Sequence, residues 1–158
     1  PIILEAEDAK LFGELKVENI LEIHRFLTKG LGIPNKIRSG RVGITGTNYK
    51  PLSDARQIQK ALQDVCDLIN FKQNVLEKAL ITLLLIAYIQ PFEDGNKRTA
   101  RILCNALLLA NKYCPISFRT VDPDDYRYAT LLFFEQNSLP SFKKMFIEQF
   151  EFSTVNYF

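Results

Sequence analysis

The chain has 158 residues, 47% hydrophobic and 24% charged, with a formal net charge of +2. These proportions bound it to one domain able to bury a core without disulfide or metal staples, and they exclude wholesale disorder. Twenty Lys and Arg are interspersed among 18 Asp and Glu without long runs of one sign, which gives no case for nucleic acid or an acidic membrane as a partner. Cys66, Cys104 and Cys114 are an odd set without metal-ligand spacing and read as reduced core thiols of a cytoplasmic protein. Pro1 to Asp8 lacks the parts of a signal peptide, and the apolar run Leu80 to Ile89 is shorter than the roughly 20 residues of a membrane span.

In chain order, residues 5 to 12 suit a short helix, and Val17 to Lys29 follows with Ile20, Ile23, Phe26 and Leu27 at a helical period. Gly30 closes it. From Gly30 to Pro51 the composition changes to five glycines, two prolines and β-branched Val42, Ile44 and Thr45, which predicts a loop with a small hairpin. The plain reading of that stretch is a surface connection. Ser53 can cap a helix to about Ile69, with Ile58, Leu62, Val65 and Leu68 on one face. Asn74 or its neighbours open a nearly all-round apolar helix to Ile89, and a second apolar helix runs from Thr99 to about Asn111. Asp122-Pro123 marks the start of a helix through Phe134, and Pro140 opens a last amphipathic helix with Phe142, Met145, Phe146 and Phe150. The tail from Phe152 to Phe158 is aromatic but unpatterned and is expected to fray. The sum is an all-α domain of six to seven helices with one small β-hairpin and no repeats.

Between the two apolar helices lies Gln90-Pro91-Phe92-Glu93-Asp94-Gly95-Asn96-Lys97-Arg98-Thr99-Ala100-Arg101. Gly95 permits a positive φ, and the N–H groups around Gly95 to Arg98 open a helix, where anions bind. Arg98 and Arg101 sit three apart on that helix. Asp94 offers a hard oxygen to Mg²⁺, which keeps several waters and takes one or two carboxylates. Asn96 could donate to a phosphate oxygen or cap the helix. Asp-Gly-Asn is also ordinary turn chemistry, so a phosphate site and a simple helix start both fit.

Residues 90 to 101 resemble the signature loop of the Fic domain family, matching it at Phe92, Asp94, Gly95, Asn96, Arg98 and Arg101. Gly40 to Pro51 is similar to the family's flap, a short β-hairpin beside the active site, and Leu21-Glu22-Ile23-His24-Arg25 to part of an early core helix. The resemblance therefore spans about residues 15 to 150 of a single domain, residues 1 to 158, which could be a fragment of a longer chain. It implies a protein adenylyltransferase that moves AMP from ATP, with Mg²⁺, onto a hydroxyl side chain of a target protein. By the same resemblance Asp94 ligates the metal, the Gly95 to Lys97 backbone and Asn96 hold the α-phosphate region, and Arg98 and Arg101 bind the phosphates beyond it. Phe92 anchors the loop, and Ile44, Thr45, Gly46, Thr47 and Tyr49 form the flap that docks the target segment.

Two residues depart from that pattern. Where the family carries a histidine acting as general base, this chain has Gln90, and a carboxamide cannot usefully accept a proton. Gln90 is then an inactivating replacement, the mark of a nucleotide-binding pseudoenzyme or regulatory module, or a sign that the base lies elsewhere. The only histidine, His24, reads as a satisfied core residue. Lys97 stands where glycine is more usual in AMP-transferring members and resembles the Doc branch, for which phosphoryl transfer by a protein kinase is the implied alternative. Many Fic members are also restrained by a Glu-bearing inhibitory helix. No such segment occurs in these 158 residues, so control is expected from a segment upstream of Pro1 or from a separate antitoxin-like partner.

Overall fold

Helices form where apolar period, capping side chain and terminating turn coincide. The computed structural model describes residues 14–157. Within them α1 spans Val17–Thr28, α2 Ala55–Phe71, α3 Val75–Ile89, α4 Asn96–Ala110, α5 Pro123–Gln136 and α6 Pro140–Tyr157. The short helix expected over residues 5 to 12 lies outside the described residues. No described helix is long and apolar enough to cross a membrane.

α3 and α4 pack most extensively on one another, and α1 and α2 cover them. α3 can sit centrally because it is apolar on nearly every side, with Ala79, Leu80, Leu83, Leu84, Ile86, Ala87 and Ile89 buried. Asn74 caps it, its side chain accepting the Glu77 N–H at 3.0 Å. α2 is capped by Asp54, which accepts the Gln57 N–H at 3.0 Å, and not by Ser53 as expected. Ser53 is committed to the preceding loop, where its carbonyl accepts the Gly40 N–H at 2.9 Å. Each cap satisfies an amide that the helix itself cannot. Asp54→Ala and Asn74→Ala should each cost about 1 kcal/mol, visible as a melting point lower by roughly 2–4 °C in thermal circular dichroism.

Two expected core positions are on the surface. Phe26 is 56% exposed and Leu68 39%. On α1 the buried stripe runs through Ile20, Ile23, His24 and Thr28, and on α2 through Ile58, Leu62, Val65, Cys66 and Ile69, so both side chains fall outside it. All three cysteines are buried and unpaired. Burial pushes their thiols up, Cys66 to about 11 and Cys104 to about 12, which suppresses the reactive thiolate.

The small hairpin does not form: residues 30 to 54 contain no strand. A two-stranded ribbon alone is marginal in water, and this segment binds to the helices through its side chains. Tyr49 stacks on Tyr88 with ring centroids 4.4 Å apart, and its hydroxyl donates to the Tyr88 carbonyl at 2.8 Å. Burial pushes the Tyr49 phenol well above its ordinary range.

At the other end the chain is more ordered than its pattern suggests. α6 continues to Tyr157 where fraying was expected. No Pro or Gly interrupts it, Thr154 Oγ1 and Asn156 Nδ2 donate to the carbonyls four residues back, and Phe152 meets Tyr157 edge-on at 6.0 Å.

Candidate functional site

The site is the turn from α3 into α4. α3 ends on Gln90 in the left-handed region, φ 52°, uncommon for a residue other than glycine. The turn is held there from several sides. Its Nε2 donates to the Ala87 carbonyl at 2.5 Å, and its Oε1 accepts from Asn96 Nδ2 at 3.2 Å. Asn96 closes the loop on itself: Oδ1 accepts the Phe92 N–H at 2.8 Å, and Nδ2 also donates to the Phe92 carbonyl at 2.9 Å. Asn96 is buried, and the cap position of α4 belongs to Gly95.

Arg38, which the sequence did not single out, holds the turn from beneath. It is 1% exposed. Its Nε donates to the Gln90 carbonyl at 2.5 Å, Nη2 to the Ile89 carbonyl at 3.2 Å and Nη1 to the Gly40 carbonyl at 2.7 Å. The cation thus sits on the negative end of α3, where terminal carbonyls lack helical partners, and burial pulls its pKa below the ordinary value. The Arg38 N–H adds a bond to the Pro91 carbonyl at 3.0 Å.

His24 braces the loop from α1. It is completely buried and stacks on Phe92 with ring centroids 3.7 Å apart. A carbonyl can only accept, so Nε2–H donates to the Asp94 carbonyl at 3.0 Å, while Nδ1 lies 3.1 Å from the Asn35 carboxamide. Gly95, φ 83°, passes so close to α1 that a Cβ there would lie 3.4 Å from Thr28 Cγ2 and 3.5 Å from His24 Cδ2. The positive φ favours glycine independently.

Above this frame opens a cleft of about 570 Å³, a size ordinary for a ligand pocket. Gln90, Asp94, Gly95, Asn96, Lys97 and Arg98 line it from the α3–α4 turn, Val42 to Thr45 from the preceding loop, and Glu93 and Arg127 complete it. Sequence reasoning gave no individual role to Glu93, Val42, Gly43 or Arg127. Arg127 in particular carried no signal, because it lies on α5, remote in sequence from the loop. α4 starts without a side-chain cap, so its first-turn N–H groups stand unspent at the cleft wall.

Not every expected site residue lines this space. Phe92 is fully buried beneath it. Arg101 lies away from it, its guanidinium carbon 4.7 Å from the Tyr126 ring centroid and 5.8 Å from that of Phe118, a cation–π arrangement. Burial raises the Tyr126 phenol, and Arg101 pulls it back. Gly46 contacts Arg127. Thr47 and Tyr49 line a second cleft on the other side of the loop, together with Arg41 to Ile44.

Asp94 is the candidate cation ligand. One carboxylate oxygen accepts the Gly95 N–H at 2.6 Å, and the other lies 3.6 Å from Arg98 Nη2 in an exposed pair. No group of three His, Cys, Asp or Glu side chains gathers among the described residues. That composition fits Mg²⁺ held by one carboxylate, waters and ligand phosphates.

An all-helical domain whose central helix pair is joined by a braced turn, with an uncapped helix start and several cations at one cleft, is built to receive an anionic ligand. The Fic/DOC family model matches residues 14–108, and the chain belongs to this family. It is 28% identical over 130 residues to protein adenylyltransferase fic-1 of Caenorhabditis elegans, covering 78% of this chain and 25% of that protein. It is 30% identical over 119 residues to protein adenylyltransferase Fic of Nematostella vectensis, covering 71% and 27%. The chain thus spans about a quarter of the length of these relatives. Among solved structures, Fic-1 (residues 134–508) of C. elegans superposes with a TM-score of 0.73 at 23% identity, over 98% of this chain and 45% of the other. BepC protein of Bartonella tribocorum, solved with bound AMPPNP, gives 0.72 at 16% identity over 91% and 81%.

Proposed function

We propose that this domain binds ATP in the α3–α4 cleft and belongs to a protein adenylyltransferase, with Gln90 depressing the chemistry of this form. The carrying observation is the coincidence of one exposed carboxylate, an uncapped helix start and the cations Lys97 and Arg98 at one cleft. Relatives named protein adenylyltransferase and the AMPPNP bound to BepC support that reading. In it, a target hydroxyl oxygen forms a bond to the α-phosphorus, the bond from that phosphorus to the α–β bridging oxygen breaks, and pyrophosphate leaves with the electron pair. The first-turn N–H groups of α4 orient the α-phosphate, and Arg98 neutralises charge on the departing oxygens, so positioning and electrostatics supply most of the catalysis. Mg²⁺, bound at Asp94, would screen phosphate charge there. The segment Gly40 to Pro51, through Ile44, Thr45, Gly46, Thr47 and Tyr49, is the proposed docking segment for the target chain.

The hydroxyl proton has no evident acceptor. Both polar ends of Gln90 are spent on Ala87 and Asn96, and His24 is buried under the loop. That observation favours a second reading, a nucleotide-binding module without transfer activity. Incubation with ATP labelled at the α or γ position, together with cell extract, separates the outcomes: α-label on protein supports AMP transfer, γ-label supports phosphoryl transfer as Lys97 suggested, and binding without either label supports the module. Asp94→Ala and Arg98→Ala should each weaken Mg·ATP binding by about tenfold in calorimetric titration. Unchanged affinity in both would remove the nucleotide assignment.

A further inference from the structure

The cleft has three cations on its walls, and they differ in what they already hold. Arg98 is paired with Asp94. Lys97 and Arg98 both come from the first turn of α4. Arg127 reaches the cleft from α5, on the side of the Val42–Thr45 segment, and has no carboxylate or aromatic partner among the described residues. Its one hydrogen bond among the described residues runs from Nη2 to the Thr45 carbonyl at 3.2 Å. A guanidinium has five donors, so most of its hydrogen-bonding capacity and all of its charge remain unspent at the cleft.

Its placement is built in two ways. The Thr45 carbonyl steers one arm of the fork. Gly46, at φ 85°, leaves a bare Cα against the guanidinium, and a Cβ there would collide with Nη2 of Arg127. The same helix holds the adjoining residue, since Thr47 Oγ1 donates to Glu135 at 2.5 Å. Arg127 therefore rests against the segment it touches, at the cleft.

We propose that Arg127 is a polyphosphate-binding residue of this cleft, gripping the nucleotide beyond its α-phosphate from α5. The assignment rests on the nucleotide reading of the site. A chain of phosphates carries charge along its length and takes forked guanidinium donors from two sides, whereas a monophosphate held at the α4 start has no further phosphate to offer Arg127. Arg101, stacked over Tyr126 and Phe118, does not line the cleft.

The test is calorimetric titration of the chain with Mg·ATP and with AMP. Arg127→Ala should weaken ATP binding by about tenfold or more and leave AMP within twofold. Arg127→Lys, which keeps the charge without the fork, should fall between Arg127→Ala and the parent chain. Gly46→Ala should reproduce the ATP-selective loss by displacing the guanidinium, with melting points checked for all variants. ATP affinity unchanged in Arg127→Ala overturns the proposal, and so does an equal loss for ATP and AMP, which would make Arg127 only a prop for the loop. Asp94→Ala and Arg98→Ala in the same series separate the two levels. If they lose ATP while Arg127→Ala does not, only Arg127 is misassigned; if none loses ATP, the nucleotide reading fails with it.

Discussion

Gln90→His raises transfer of α-label to protein by about 10²–10⁴-fold, the usual worth of general-base assistance. The imidazole accepts a proton near neutral pH, which the carboxamide cannot. The backbone is ready for it: position 90 has φ 52°, a region that histidine enters more readily than most side chains. The replacement gives up the bonds to Ala87 and Asn96, but Arg38 and His24 still hold the loop by its backbone carbonyls. Mg·ATP affinity should accordingly stay within a few-fold of the parent. Parallel rate measurements on both forms check this, and equal rates with intact nucleotide binding would place the missing base somewhere other than residue 90.

The largest stability effect is expected at Arg38. Arg38→Ala strands the carbonyls of Ile89, Gln90 and Gly40, two of the three bonds being fully buried. Unsatisfied buried acceptors cost about 1–3 kcal/mol each, and the lost side chain also leaves a void. A total of about 3–5 kcal/mol is a large share of the roughly 5–15 kcal/mol of an ordinary domain. Thermal unfolding should show a fall of about 10 °C, with only part recovered by Arg38→Lys, which lacks the fork. A melting point within about 2 °C of the parent would contradict the role.

The two predictions bear on different layers of one device. Gln90 sits at the chemical end of the α3–α4 turn, and Arg38 sits under it, so a folded but inactive variant and an unfolded one are distinguishable. His24 belongs to the second layer. Its ring supports Phe92 and the Asp94 carbonyl, which explains why a polar side chain occupies the buried stripe of α1.

Much of this was legible in the chain. The apolar run ending at Ile89, the Asn74 and Asp122-Pro123 helix starts and the turn at Gly95 are local signals, written in neighbouring residues, and the helices begin at or close to those points. The family likewise follows from a contiguous motif, Phe92 to Arg101. The misreadings share one cause. Gly and β-branched composition predicts the hairpin, but the side chains of Tyr49 and Thr47 bond to α3 and α5 instead of pairing two strands. Ser53 lost the cap to Asp54 because its carbonyl was needed by Gly40.

The helical class, the position of the α3–α4 turn and the oddity of glutamine at its first residue are set by the sequence alone, because each depends on periodicity and spacing within a dozen residues. Only the tertiary structure decided what surrounds that turn. Arg38 reaches Gln90 across 52 positions and Arg127 reaches Thr45 across 82, and Arg101, the last residue of the motif, turns to the aromatic rings of Phe118 and Tyr126. Long-range charge placement is set by how helices pack, and packing depends on the whole core at once.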